Sequence, residues 1–205
     1  MVDKVNFELL KKMKEAGLHL IMYGFEVGNQ KILDSLNKKA TLEQARKAME
    51  DTKKVDILTT GFFVLGMPGE TKESCEETIR FAKELDCDIA KFNLAIPLPG
   101  SRFFEDYKDK LSDLRMPEKF TSWSSWLTGT DSLVFVPEGM TAKELINLQI
   151  KAMFQFYMRP KIIIRHIIKR IMPLKDLCYG AYFLIIKYFK IIIESIAKVI
   201  NLAER

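Results

Sequence analysis

Glu26 lies between two glycines in the run Gly24-Phe25-Glu26-Val27-Gly28-Asn29-Gln30, directly after a short apolar stretch. A carboxylate at the carboxyl end of a strand can accept hydrogen bonds from ligand hydroxyls; a solvated or backbone-capping Glu fits the same residues equally well. A second chemical stretch is Gly61-Phe62-Phe63-Val64-Leu65-Gly66-Met67-Pro68-Gly69-Glu70-Thr71. Here Gly66 and Gly69 permit a sharp turn and a close backbone approach to a ligand, and Pro68 fixes one dihedral of that turn. A third is Asn93, with Lys91 two residues before it and Ile96-Pro97-Leu98-Pro99-Gly100-Ser101 after it. Both side chains suit a polar site, and a lysine snorkelling at a strand edge is the competing reading of Lys91. The three cysteines, Cys75, Cys87 and Cys178, are too far apart for a CxxC or CxxxC pairing, so neither a disulfide framework nor a local metal site follows from them. His19 and His166 have no Ser, Cys or Asp set around them that makes a nucleophile, and both read as structural.

These residues need strands to carry them. Leu18 to Phe25, Ile57 to Leu65 and Ile89 to Ile96 are short apolar runs, the first of a kind buried on both faces of a parallel sheet. Helical patterns separate them: Asn6 or Asp3 caps a helix through Lys14 with Phe7, Leu10 and Met13 on one buried face, and Gly17 stops it. Gln30 to Asn37 is a short helix, and Thr41-Leu42-Glu43-Gln44 opens another with a capping box. Lys72 to Leu85 puts Ile79, Phe81, Ala82 and Leu85 toward the sheet, with acidic residues in its first turn. Alternation of this kind predicts an α/β fold, a partial (βα) barrel of three parallel strands with flanking helices followed by C-terminal amphipathic helices. The expected organisation is a partial barrel over 1–101, a covering loop and helix over 102–160, and an amphipathic helical tail over 161–205. Within the middle part Trp123, Trp126 and Phe135 are scattered through a long loop over the ligand end or the edge of the sheet, and Thr141-Ala142-Lys143-Glu144 caps a helix to about Met158. A chain that opens on a helix feeding a strand reads as the continuation of a βα repeat.

The balance of 48% hydrophobic and 29% charged residues over 205 residues is that of a folded globular chain. Its net charge of +5 comes largely from the tail. There Lys161, Arg165 and Lys169 recur among isoleucines, and after Pro173 the residues Lys187, Lys190, Glu194 and Lys198 form a narrow stripe on an otherwise apolar helix. The charges break any run long enough to cross a bilayer, so the tail is expected to lie on an anionic membrane surface or against a partner, with docking on the chain's own core as the alternative. Its polar face has little aromatic interleaving, and nucleic acid is not expected. No leader precedes the first helix, and a reducing cytoplasm, with peripheral contact to the inner membrane face, is the expected location.

Taken together, and in this order and spacing, the three strand-end motifs resemble the later half of radical S-adenosylmethionine (radical SAM) enzymes, of the branch whose members often carry a cobalamin-binding domain. The resemblance covers roughly residues 5 to 170. It implies a six-stranded partial barrel that holds a [4Fe-4S] cluster and S-adenosylmethionine and generates a 5′-deoxyadenosyl radical, with cobalamin as a further cofactor of the branch. By that resemblance Glu26, flanked by Gly24 and Gly28, meets the ribose hydroxyls or the amino acid part of S-adenosylmethionine. Phe63, Gly66, Pro68 and Gly69 belong to a glycine motif whose backbone lies near the adenine, here with Gly61 and Gly66 one residue further apart than usual. Asn93, Ile96 and Pro97 belong to a last strand that gives backbone contacts to adenine. The cluster-binding CxxxCxxC of the family is absent from the sequence. The expected partner is therefore an N-terminal barrel half or a cobalamin-binding domain, and the chain alone is not expected to be active. A non-catalytic membrane-surface or partner-binding module is the alternative; a phosphate-binding half-barrel has neither GxxxxGK[ST] nor GxGxxG to support it.

Overall fold

The computed structural model describes residues 2–111 and 135–203. Helix α1 (Phe7–Glu15) starts at Asn6, whose side chain accepts from the Leu9 amide at 2.9 Å, and leads into β1 (Leu20–Glu26). Then come α2 (Gln30–Ser35), α3 (Leu42–Lys54), β2 (Leu58–Leu65), α4 (Lys72–Leu85) and β3 (Ile89–Leu94). Capping boxes open α3 at Thr41 with Gln44 and α4 at Thr71 with Ser74. The strands form a parallel sheet in the order β1-β2-β3, with Gly24 beside Phe62 and Val64 beside Asn93. Helical crossovers between adjacent parallel strands follow from the alternating pattern.

Side chains alternate across such a sheet. One face carries Tyr23, Phe25, Phe63 and Phe92, all nearly inaccessible to solvent, and packs against α3, α4 and helix α6 (Ala142–Tyr157). Phe63 is the middle of an aromatic stack, 5.5 Å from Phe25 and 5.4 Å from Phe92 between ring centroids. The other face presents Met22, Phe62, Val64, Lys91 and Asn93, and Met22 is 62% exposed. β1 is thus buried on one face only, contrary to the reading of its apolar run, because its alternate positions are Met22 and Gly24. Phe7, placed on the buried face of α1 from its spacing, is exposed as well.

Helix α6 does more than cover the sheet. Its Tyr157 hydroxyl donates to the Ala90 carbonyl at 2.7 Å and accepts from the Ala90 amide at 3.1 Å, and Gln149 donates to the Phe92 carbonyl at 2.8 Å. His166 Nε2, on helix α7 (Pro160–Ile168), lies 2.7 Å from the Asp88 carbonyl. Alternate backbone groups of β3 that face away from β2 are therefore satisfied by side chains, which closes that edge of the sheet to another strand.

The stretch from 102 contains helix α5 (Arg102–Leu111) where only a loop was expected; Phe103 and Tyr107 on it meet Phe135 edge to face. Trp123 and Trp126 lie outside the described residues. Leu145, Leu148, Ala152 and Phe156 of α6 join the same core as the strands.

The basic residues at α7 pair with carboxylates of the same chain. Lys161 and Arg165 bind the Asp86 carboxylate at 2.7 and 2.6 Å, and Lys169 reaches Asp56 at 2.8 Å, while Ile162 and His166 are buried. These cations thus already meet the chain's own carboxylates, while Ile164, Ile167 and Ile168 of the same stretch are exposed. Helix α8 (Leu174–Ala203) follows and leans on α6.

Candidate functional site

The carboxyl ends of the three strands gather the chemical residues. β1 ends in a bulge between Gly24 and Glu26, and Glu26 takes a left-handed backbone with φ of 66°. That turn carries its carboxylate back over Gly24: a methyl group built on Gly24 would stand 2.7 Å from Glu26 Oε1. Gly24 leaves open the space that the carboxylate occupies; a side chain there would have to displace it. Since Gly24 points to the face that carries Phe62 and Asn93, the carboxylate lies on that face too. Lys38 donates to Glu26 Oε1 and, at 3.1 Å, to the Gly24 carbonyl, so a cation closes the outer side of the carboxylate.

Across β2, Asn93 sits at the same end of the same face. Its Oδ1 is shielded from solvent and has no hydrogen-bond partner among the described residues. A shielded carbonyl oxygen left unpaired costs about 1–3 kcal/mol, which a ligand N–H or O–H would recover. Glu26 and Asn93 stand on strands two apart, about 10 Å across the sheet from two strand spacings, a separation that an adenosine-sized molecule bridges. Between them on this face lie Phe62 and Val64, and Lys91 stands over the Phe62 ring at 5.4 Å.

The glycine corner after β2 is built by a residue that the sequence reading named only as part of the motif. Glu70, 1% exposed, accepts from the Gly66 amide at 2.7 Å and the Met67 amide at 2.9 Å. Burial raises its pKa above the ordinary carboxylate value, against the opposing pull of the Met67 and Gly66 amides. Gly66, with φ of 84°, needs the left-handed region that only glycine enters freely. With those two amides already on a carboxylate, the corner offers no empty cradle for a phosphate. Glu70 was visible as the last acidic residue of the glycine run, but nothing in its spacing shows that it points inward.

Other expected site residues divide. Gly28 lies against α4, where an added methyl would meet Glu77 O, Phe81 Cβ and Thr78 Cα at 2.7 Å each, and its amide donates to Thr78 Oγ1 at 2.9 Å. It is a packing glycine, away from the face of Glu26. The Phe63 side chain is in the core, leaving only its backbone for a ligand. Pro68 is half-buried and Gly69 exposed on the corner; Ile96 is 44% exposed and Pro97 buried past the end of β3.

The cysteines do not form a cluster site. Cys75 and Cys87 are fully buried, and burial pushes each thiol up to about 12, while Cys178 is exposed on α8. Three thiolates must converge on one cluster, and among the described residues no group of His, Cys, Asp or Glu converges as a metal site. Among the described residues the donor set does not fit an iron–sulfur cluster.

Comparison with known proteins bears on the same residues. The sequence profile of the Radical SAM superfamily matches residues 2–82. An uncharacterized methyltransferase of Pyrococcus horikoshii is 35% identical over 166 residues, which is 81% of this chain and 35% of that protein. The anaerobic magnesium-protoporphyrin IX monomethyl ester cyclase of Cereibacter sphaeroides is 32% identical over 152 residues, 74% of this chain and 23% of that protein. Among solved structures, the radical S-adenosylmethionine methyltransferase TsrM from Kitasatospora setae, with cobalamin and a [4Fe-4S] cluster bound, superposes with a TM-score of 0.50 at 19% identity, over 70% of this chain and 28% of that one. The chain spans about a third or less of the length of these relatives.

Proposed function

The chain belongs to the radical SAM superfamily, and from that premise we propose that it forms the adenosyl-binding side of an S-adenosylmethionine site in a radical enzyme whose cluster ligands lie outside this sequence. The observation that carries the reading is the pair at the strand ends: a carboxylate folded over Gly24 and a shielded, unpartnered Asn93 oxygen on the same face. S-adenosylmethionine, when bound, supplies a methyl group or, on reductive cleavage, a 5′-deoxyadenosyl radical. Glu26 would accept from the ribose hydroxyls or the ammonium of the ligand, with Lys38 holding the carboxylate in place. Asn93 Oδ1 would accept from an N–H of the base, and Phe62 and Val64 supply the apolar floor beneath it. Because α6 and α7 close the outer edge of β3, further barrel strands would join at β1, next to Glu26. A [4Fe-4S] cluster brought by those strands, and cobalamin as in TsrM, are the cofactors this reading assigns to the assembled protein; radical hydrogen abstraction or group transfer is its reaction class.

The test is a calorimetric titration of the purified full chain with S-adenosylhomocysteine, which carries the adenosyl group without the reactive sulfonium. Binding is expected to weaken about tenfold in Glu26→Gln and in Asn93→Leu, the loss of one hydrogen bond to a charged or shielded group each. A chain that takes up no ligand, or variants that bind as the parent does, would refute the assignment.

A further inference from the structure

Helix α8 divides into three flanks. One meets α6: Leu184 is buried there, Tyr188 stacks on Phe154 with 4.0 Å between ring centroids, and Glu194 pairs with Lys143 at 2.6 Å. Roughly opposite, at about 100° per residue, the helix collects Tyr182, Ile185, Ile186, Phe189, Ile193 and Ile196, between 41 and 64% exposed. From Leu174 to Ile196 this apolar side runs about 33 Å. Its residues recur at i, i+3, i+4 and i+7, a stripe wider than the two-position seam that one partner helix covers. The third flank is basic: Lys190 borders the apolar side, and Lys187, about 60° further round toward Glu194, stands over the Phe183 ring at 5.4 Å. Of the two α8 carboxylates, Glu194 is already tied to Lys143, which leaves Asp176 against Lys175, Lys187 and Lys190 on the described turns.

The occupant must match both a broad apolar strip and the cations along its border. An anionic bilayer surface does so: acyl chains receive isoleucines and aromatics, and headgroup phosphates receive lysines that snorkel from the edge of the strip. Among the described residues no helix is long and apolar enough to cross a membrane. We propose that α8 lies in the plane of an anionic lipid surface, its Tyr182–Ile196 side inserted at the headgroup boundary and Lys187 and Lys190 at the phosphates. The barrel is held away from the lipid by α6, which grips the opposite flank. Lys161, Arg165 and Lys169 are on Asp86 and Asp56, so the cations assigned to the phosphates are those of α8. The proposal is independent of S-adenosylmethionine binding.

The experiment is co-sedimentation of the full chain with vesicles of phosphatidylcholine alone and of phosphatidylcholine mixed with phosphatidylglycerol. Binding to the mixed vesicles is expected, weakening as salt rises. Phe189→Glu with Ile193→Glu should lower it about a hundredfold, and Lys187→Glu with Lys190→Glu about tenfold on the mixed vesicles alone. Lys161→Gln on α7 should bind as the parent does, and helical content by circular dichroism shows that each variant is folded. No binding of the parent to the mixed vesicles, or undiminished binding of the folded Phe189/Ile193 variant, overturns the proposal. So does a loss in Lys161→Gln, or a dimer that the Phe189/Ile193 variant dissolves without any vesicle binding by the parent.

Discussion

Single atoms decide what the glycines of this chain do. Gly24 and Gly28 look alike in the sequence, two residues either side of Glu26, yet one clears space for a carboxylate and the other lets the chain touch α4. Gly28→Ala should cost about 3 kcal/mol in urea denaturation, since the methyl meets backbone atoms that have nowhere to move. Gly66→Ala should cost about 3 kcal/mol as well: the left-handed backbone is strained, and its methyl meets the buried Leu145 side chain. The thiols differ as sharply. With Cys75 and Cys87 buried and pushed up to about 12, maleimide labelling of the native chain at neutral pH should stop at Cys178, and the other two should react only after unfolding. The sequence places Glu26 and Asn93 at strand ends, because glycines and prolines stop the strands there. It does not show that Glu26 turns back over Gly24, since that depends on a bulge and a positive φ that no residue type announces.

At the scale of elements, α3 and α4 could be read from capping residues and apolar spacing, and β2 and β3 from apolar runs between breakers. The long-range roles of α6 and α7 could not. A Tyr, a Gln and a His spaced along 149–166 carry no mark that they will cap the edge of a strand some sixty residues earlier or more. Tyr157→Phe should cost about 1–2 kcal/mol, because it leaves buried groups of Ala90 unpaired. The pairing of the α7 cations is illegible for a related reason: charge periodicity shows cations but not the carboxylates they will meet. Burial opposes ionisation of Asp86, but hydrogen bonds from Lys161 and Arg165, with the charges of Arg165 and Lys53, outweigh it and hold the carboxyl below its usual range. A depressed folded value stabilises the fold above the unfolded pKa of about 3.9, and that share is lost as pH falls through the folded value. Acid titration followed by circular dichroism should therefore show stability falling from about pH 4 downward. Asp86→Asn should lose about 3 kcal/mol at neutral pH and flatten that acid dependence.

The described residues form a three-stranded parallel sheet with one face on helices, one edge closed by side chains, and the chemical residues at one end of the other face. The resemblance of its motifs to radical SAM enzymes agrees with the profile match and with the superposition on TsrM. In the proposed assembly β1 is the side on which a larger barrel would continue, and the cluster that the family uses finds no ligand set among the buried cysteines. Co-expression with the cluster-bearing region of a radical SAM relative should then raise adenosyl affinity, since Glu26 would face a second wall in place of solvent. The central claim is that the adenosyl group sits between Glu26 and Asn93. The most direct measurement is an amide-resolved NMR titration of the isotopically labelled chain with S-adenosylhomocysteine. Shifts are expected at Gly24, Glu26, Asn93 and Ala95 with Gly28 and the α4 core unmoved; shifts centred on α4, or none at saturating ligand, would refute an adenosyl site between Glu26 and Asn93.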